Sequence, residues 1–119
     1  IFESWIASEL LKQGAHGSAA VTLTHYRDAS GLEVDMVVDA APDVVLIEAK
    51  SGATVATDFP EGVERLARAL EEARYGGNVR CAVVYGGDAA QRRGATEIVP
   101  WRAIADVDWV RVRGDGSAA

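Results

Sequence analysis

Glu48 and Lys50 stand two residues apart at the end of the run Val44-Val-Leu-Ile-Glu-Ala-Lys50. In a β-strand, residues i and i+2 project from one face, so the two side chains point the same way. Charges at the end of an otherwise apolar strand are costly to bury unless paired or liganded. Asp35 has equally apolar company in Val34, Met36, Val37 and Val38. If the two segments pair as neighbouring strands, Asp35 and Glu48 converge on one point. Converging carboxylates repel, and a divalent cation relieves the repulsion. Oxygen ligands suit a hard ion such as Mg²⁺ or Mn²⁺. Such an ion polarises a phosphodiester and activates water. Lys50 is then placed to orient that water or to neutralise charge developing on the phosphate. The plainer reading of the same residues is two solvated strand-end carboxylates, one of them paired with Lys50.

Glu3 is the candidate fourth member and a further metal ligand. On a helical wheel it falls between Leu10 and Ala7, inside the apolar arc. Glu9 can pair with Lys12 one turn later, a surface role. The basic residues are ten Arg against two Lys, Lys12 and Lys50, which makes Lys50 stand out. Arg92 and Arg93, in a Gly-flanked loop, could meet phosphates or simply be solvated. Tyr26 and Arg27 could face a substrate groove. His16 and His25 have no partner at ligand spacing. Trp101 beside Pro100 suits a packing anchor better than a base-stacking platform. The single cysteine, Cys81, lies in an apolar run and reads as a buried structural thiol. With two scattered His it builds no zinc site.

The elements that must position these groups follow from periodicity. Phe2, Ile6 and Leu10 predict a helix over residues 1–13, with Gly14 as its stop signal. Residues 20–27 and 32–39 read as a hairpin around the turn Asp28-Ala-Ser-Gly31. In its second strand, Glu33, Asp35, Val37 and Asp39 alternate with Val34, Met36 and Val38. Residues 44–50 read as a central strand buried on both faces. Residues 60–74 are the clearest helix, with Pro60 in the first turn and Val63, Leu66 and Leu70 as an apolar stripe. Residues 79–85 are a second buried strand. If helix 60–74 is a crossover, these two buried strands are parallel neighbours. A polar loop from Gly86 to Gly94 follows, then a short strand at 97–99 and a helical turn at 100–104. Residues 107–112 alternate weakly, the pattern of a last edge strand, and 114–119 read as a flexible tail.

The chain has 119 residues, enough for one domain with one core, here set at residues 1–113. It is 49% hydrophobic and 25% charged, where a disordered chain would be more polar. No apolar run approaches the roughly 20 residues of a membrane span. The opening on Ile1, inside a helical pattern, is expected of a piece of a longer polypeptide. The lone cysteine allows no intrachain disulfide, which makes the cytoplasm the natural reading. The net charge of −6 argues against an obvious nucleic-acid binder, although a basic strip can sit on an acidic body.

The segments Phe2-Glu-Ser-Trp-Ile-Ala-Ser-Glu-Leu10, Tyr26-Arg-Asp28, Gly31-Leu-Glu-Val-Asp35 and Ile47-Glu-Ala-Lys-Ser-Gly52 together resemble one family. It is the C-terminal domain of unknown function that follows an AAA-type ATPase in many bacterial and archaeal proteins. Val84-Tyr-Gly-Gly87 and Val99-Pro-Trp-Arg102 fit the same family, so the resemblance covers roughly residues 1–104. That family looks like a branch of the PD-(D/E)XK nuclease superfamily. The resemblance implies a restriction-endonuclease-like αβββαβ core, with a mixed central sheet flanked by helices. It implies metal ligation by Asp35, Glu48 and Glu3 and a catalytic Lys50. It also implies nucleic acid and the ATPase part of the same polypeptide as partners. Members of the superfamily that bind without cutting keep a silent interaction module as the alternative. No Gly-x-x-x-x-Gly-Lys-Ser/Thr phosphate loop occurs, so no ATP site is expected in this stretch.

Overall fold

Four consecutive apolar residues, Val44 to Ile47, are all buried. Only a strand covered on both faces can bury such a run. In the computed structural model it forms most of β3 (Asp43–Lys50), the third of six strands in one mixed sheet. The structure describes residues 2–16, 22–40, 43–54, 60–73 and 76–109. The order along the chain is α1 (Phe2–His16), β1 (Thr22–Arg27), β2 (Glu33–Ala40), β3, α2 (Glu61–Glu72), β4 (Val79–Tyr85), β5 (Gln91–Arg93) and β6 (Thr96–Pro100), then a 3₁₀ helix (Trp101–Asp106).

Across the sheet the strands run β1-β2-β3-β4-β6-β5. The first three form an antiparallel meander. The β1–β2 turn is closed by Asp28, whose Oδ1 accepts from the Ser30 hydroxyl at 2.6 Å and the Ser30 N–H at 2.9 Å. Gly31 supplies the positive φ of 92° that this turn requires. After α2 the chain returns to lay β4 parallel to β3, from Val44↔Val79 to Lys50↔Tyr85. The expected crossover is therefore present, and β3 and β4 are the two central strands.

Two cores result. Helix α2 buries Val63 and Leu66 on Leu32, Val34, Val44, Leu46 and Cys81. On the opposite face, α1 and the 3₁₀ helix bury Ile6, Leu10 and Ile104 on Met36, Val38, Ile47, Ala82 and Val84. Cys81 is buried, as expected, and burial pushes its thiol up to about 11. No helix among the described residues is long and apolar enough to cross a membrane.

Several boundaries differ from the sequence reading. Helix α1 runs through Gly14 to His16, since one glycine costs a helix only about 1 kcal/mol. Pro60 caps α2 from outside its first turn. Arg92 and Arg93 lie in a strand, β5, not in a loop. Three polar residues pairing with β6 leave no alternation to read. Val107 to Trp109 form no strand; Trp109 is buried and its indole N–H donates to the Ile104 carbonyl at 2.8 Å. The rest of that expected strand, 110–112, and the expected tail lie outside the described residues.

Candidate functional site

Asp35 reaches Glu48 because β2 is irregular at that point. The β1–β2 register runs from Thr22↔Asp39 to Thr24↔Val37, then jumps to Tyr26↔Val34. Two residues of β2, Asp35 and Met36, thus oppose His25 alone, which is a β-bulge. The bulge reverses the alternation expected for this strand. Val34 packs in the α2 core, whereas Met36 and Val38 pack in the α1 core. The three do not share a face.

Beyond Met36↔Ile47 the two carboxylates continue the link between β2 and β3. The Asp35 N–H donates to Glu48 Oε1 at 3.2 Å, and the Ala49 N–H donates to Asp35 Oδ2 at 2.8 Å. Each strand gives a backbone donor to the other's acid. Asp35 Oδ1 and Glu48 Oε2 are the oxygens these bonds leave over. Lys50, on the same face of β3 as Glu48, holds its Nζ 3.8 Å from Glu48 Oε2. That is a loose ion pair rather than a hydrogen bond.

Burial, and then the negative charge of Asp35, push the Glu48 carboxyl up to about 7; the Asp35 N–H and the Lys50 charge oppose them. The Glu48 side chain is 17% exposed and Lys50 43%. An acid whose pKa rises on folding holds its proton more tightly in the native state than in the unfolded chain. The native state therefore loses stability as pH climbs from about 4.5 to about 7. Without metal, urea melts should show roughly 2 kcal/mol less stability at pH 7.5 than at pH 5 from this group. Glu48→Gln should flatten the slope. Equal slopes in wild type and variant would clear Glu48 of responsibility.

The remaining candidates are distributed around the fold. Glu3 is exposed in the first turn of α1 and lines a hollow with Phe2, Trp5, Ala49, Ser51 and Trp101. The apolar arc of α1 projects there past the packed core, which is how it accommodates an acid. Ala49 packs on the α1 side, so the hollow and the Glu48–Lys50 pair lie on opposite faces of one strand end. Among the described residues, no group of three or more His, Cys, Asp and Glu could hold a metal ion. Asp35 and Glu48 are brought together and Glu3 does not complete a triad with them.

Tyr26 donates from its hydroxyl to Asp28 Oδ2 at 3.0 Å and packs on the α2 core. Arg27 pairs with Glu33 at 3.3 Å. Arg92 lines a cavity with Asp43, Asn78 and Val79, where β3 and β4 begin. That end of β3 is about 20 Å from Lys50 at roughly 3.3 Å per residue. None of these contacts joins Tyr26, Arg27 or Arg92 to the carboxylate pair. Arg93 stands on the same edge strand as Arg92. Glu9 pairs with Lys12 at 2.9 Å, as expected.

His25, for which the sequence offers no partner at ligand spacing, is exposed beside the bulge, its Nδ1 3.4 Å from the Asp35 carbonyl and its Nε2 3.5 Å from Glu33 Oε1. Sequence reasoning did not single out Trp5. This ring meets Trp101 edge-to-face at 5.6 Å between centroids. The helix-start pattern Phe2-Glu3-x-Trp5 was the available signal, because such spacing puts an acid and aromatics on adjoining faces.

A comparison with curated proteins finds no match. Residues 1–104 match the family model described as a domain of unknown function, DUF4143, and the chain belongs to that family.

Proposed function

We propose that this domain is a metal-dependent nuclease of the PD-(D/E)XK type, hydrolysing phosphodiesters of DNA in the cytoplasm. The same reading makes it the C-terminal module of a polypeptide that also carries an ATPase. The observation that carries the proposal is the bulge at Asp35, which delivers a second carboxylate onto Glu48 beside a lysine. The order α1-β1-β2-β3-α2-β4 supports it, being that of an αβββαβ core.

The donor set fits a hydrated hard cation. Mg²⁺ is commonly held by one or two carboxylates while keeping several waters. Burial first, and then the negative charge of Asp35, push Glu48 up to about 7, and a divalent charge would relieve the second of these. Asp35 and Glu48 would hold Mg²⁺ or Mn²⁺, and the ion would act as a Lewis acid on the phosphodiester. The chain's own contribution is positional. Asp35 is locked by the Ala49 N–H, and Glu48 by the Asp35 N–H. Lys50 presents an ammonium to orient water and to offset charge building on the phosphate.

Calorimetry tests the metal site directly. Wild type should bind Mn²⁺ with millimolar affinity and release protons near pH 7 as Glu48 ionises. Asp35→Asn should weaken binding at least about tenfold, as loss of a charged ligand does. Superimposable titrations would remove the metal from the account. The net charge of −6 favours a second reading, a silent module that binds nucleic acid or docks the ATPase without cutting. Metal binding without cleavage of any substrate would select it.

A further inference from the structure

The hollow at the start of α1 has a composition that the metal site does not use. It measures about 640 Å³ and is lined by Phe2, Glu3, Trp5, Ala49, Ser51 and Trp101. This lies within the ordinary range for small-ligand pockets. Trp5 is 37% exposed, although tryptophan is normally well buried. The Arg102 guanidinium lies 4.9 Å from the centre of the Trp101 ring and 4.0 Å from Asp88 Oδ1. The polar side chains in the hollow are the Glu3 carboxylate and the Ser51 hydroxyl.

We infer that this hollow takes one unpaired nucleobase of the substrate strand, and so restricts the substrate to single-stranded or locally unpaired DNA. The inference rests on the nuclease reading and deepens it. A nucleobase matches the lining in three respects. Its flat face stacks on an indole, a contact that tolerates any base. The exocyclic amine of cytosine or adenine can donate to the Glu3 carboxylate. Its phosphates need cations: Arg102 lies against Trp101 in a loose pair with Asp88, and Lys50 lies around the strand end on the opposite face from the hollow. Ala49 and Ser51 are the chain neighbours of Lys50, each about 3.8 Å from it between Cα atoms. A strand that lays a phosphate on Lys50 can therefore turn its neighbouring base around the end of β3 into the hollow. A paired, stacked base cannot make that turn. Glu3, which completes no metal triad, gains a task as the acceptor that favours amine-bearing bases.

The test is fluorescence anisotropy on the chain in EDTA, with labelled oligo-dC, oligo-dT and a blunt duplex at one salt concentration. Wild type should bind oligo-dC at least about tenfold tighter than the duplex. Trp5→Ala should lose about tenfold on oligo-dC, the lower range for one stacked base, while Trp5→Phe keeps most of the affinity. Glu3→Gln should erase the preference for dC over dT. Trp5→Ala loses the edge-to-face contact with Trp101, so circular dichroism should show a folded variant melting slightly below wild type, as Trp5→Phe should not. Equal binding of single strand and duplex, or Trp5→Ala binding like wild type, would overturn the inference. So would a rise in mass with concentration that Trp5→Ala abolishes, since the hollow would then seat a second copy. Mn²⁺-dependent cleavage run in parallel separates the two proposals. Duplex cleavage unchanged in Trp5→Ala would sink the pocket and leave the nuclease standing. Trp5-dependent binding of single strands without cleavage would do the reverse.

Discussion

If the domain cuts as proposed, Lys50→Ala should lower Mn²⁺-dependent cleavage by at least about a hundredfold, the usual range for losing one group that stabilises transition-state charge. Lys50→Arg should not restore it. Both expectations follow from the geometry. The Lys50 ammonium lies 3.8 Å from Glu48 Oε2, close enough to share its surroundings but too far to be consumed by it. A planar guanidinium in that place would form a bidentate salt bridge with Glu48 and compete with the cation. The side chain is 43% exposed, so its removal leaves the core beneath Ile47 intact. The loss should fall on the rate more than on substrate binding. The assay compares wild type, Lys50→Ala and Lys50→Arg on single-stranded, duplex and branched DNA, with circular dichroism to establish folding. Near-wild-type cleavage by folded Lys50→Ala would locate the activity elsewhere.

Gly86→Ala has the largest expected effect on stability. The Gly86 N–H donates to the Lys50 carbonyl at 3.0 Å and to the Gly52 carbonyl at 2.9 Å. This pulls the segment after β3 tightly against the end of β4. A Cβ at Gly86 would run into the Ser51 carbonyl, and both parties are backbone. Neither can swing aside as a side chain could. Overpacking of this kind typically costs about 1–3 kcal/mol. The upper part of that range applies here and corresponds to a Tm lower by roughly 10 °C in a domain of this size. Gly52→Ala is the control, since a Cβ there meets nothing within 4 Å. Thermal melts of the two variants should differ clearly. Similar melts would mean that the β3 and β4 ends separate easily. Lys50 moves with its carbonyl, so Gly86→Ala should also reduce cleavage.

How far the sequence could be read depended on how much each element relies on its own residues. Strands β3 and β4 and helix α2 were legible because burial on two faces and on one stripe leaves plain patterns. The approach of Asp35 to Glu48 was also legible, since a hairpin must bring them near each other. The bulge was not. Val34, Met36 and Val38 alternate with Glu33, Asp35, Val37 and Asp39 as in a regular strand, and a register jump leaves no mark in residue types. Strand β5 escaped because Gln91, Arg92 and Arg93 carry no apolar signal; their pairing partner β6 decides their state. Glu3 showed the limit of a helical wheel, which gives the direction of a side chain but not what the helix end overhangs. Its arc meets a hollow rather than the carboxylates.

The edge-to-face contact of Trp5 with Trp101 ties the two ends of the described chain together. The Asp35–Glu48 link, by contrast, spans 13 positions. Loop-closure entropy grows with the logarithm of the separation, so joining the ends costs about 2 kcal/mol more than closing the hairpin. The two parts of this surface therefore belong to different stages of folding. The hairpin can form while the chain is still being synthesised, before residue 101 exists. Ile6 and Leu10 can meet Met36, Val38 and Ile47 of that hairpin, but Ala82, Val84 and Ile104 complete their core only later. The acid pair thus needs only local chain, whereas the aromatic hollow cannot close until Trp101 is in place.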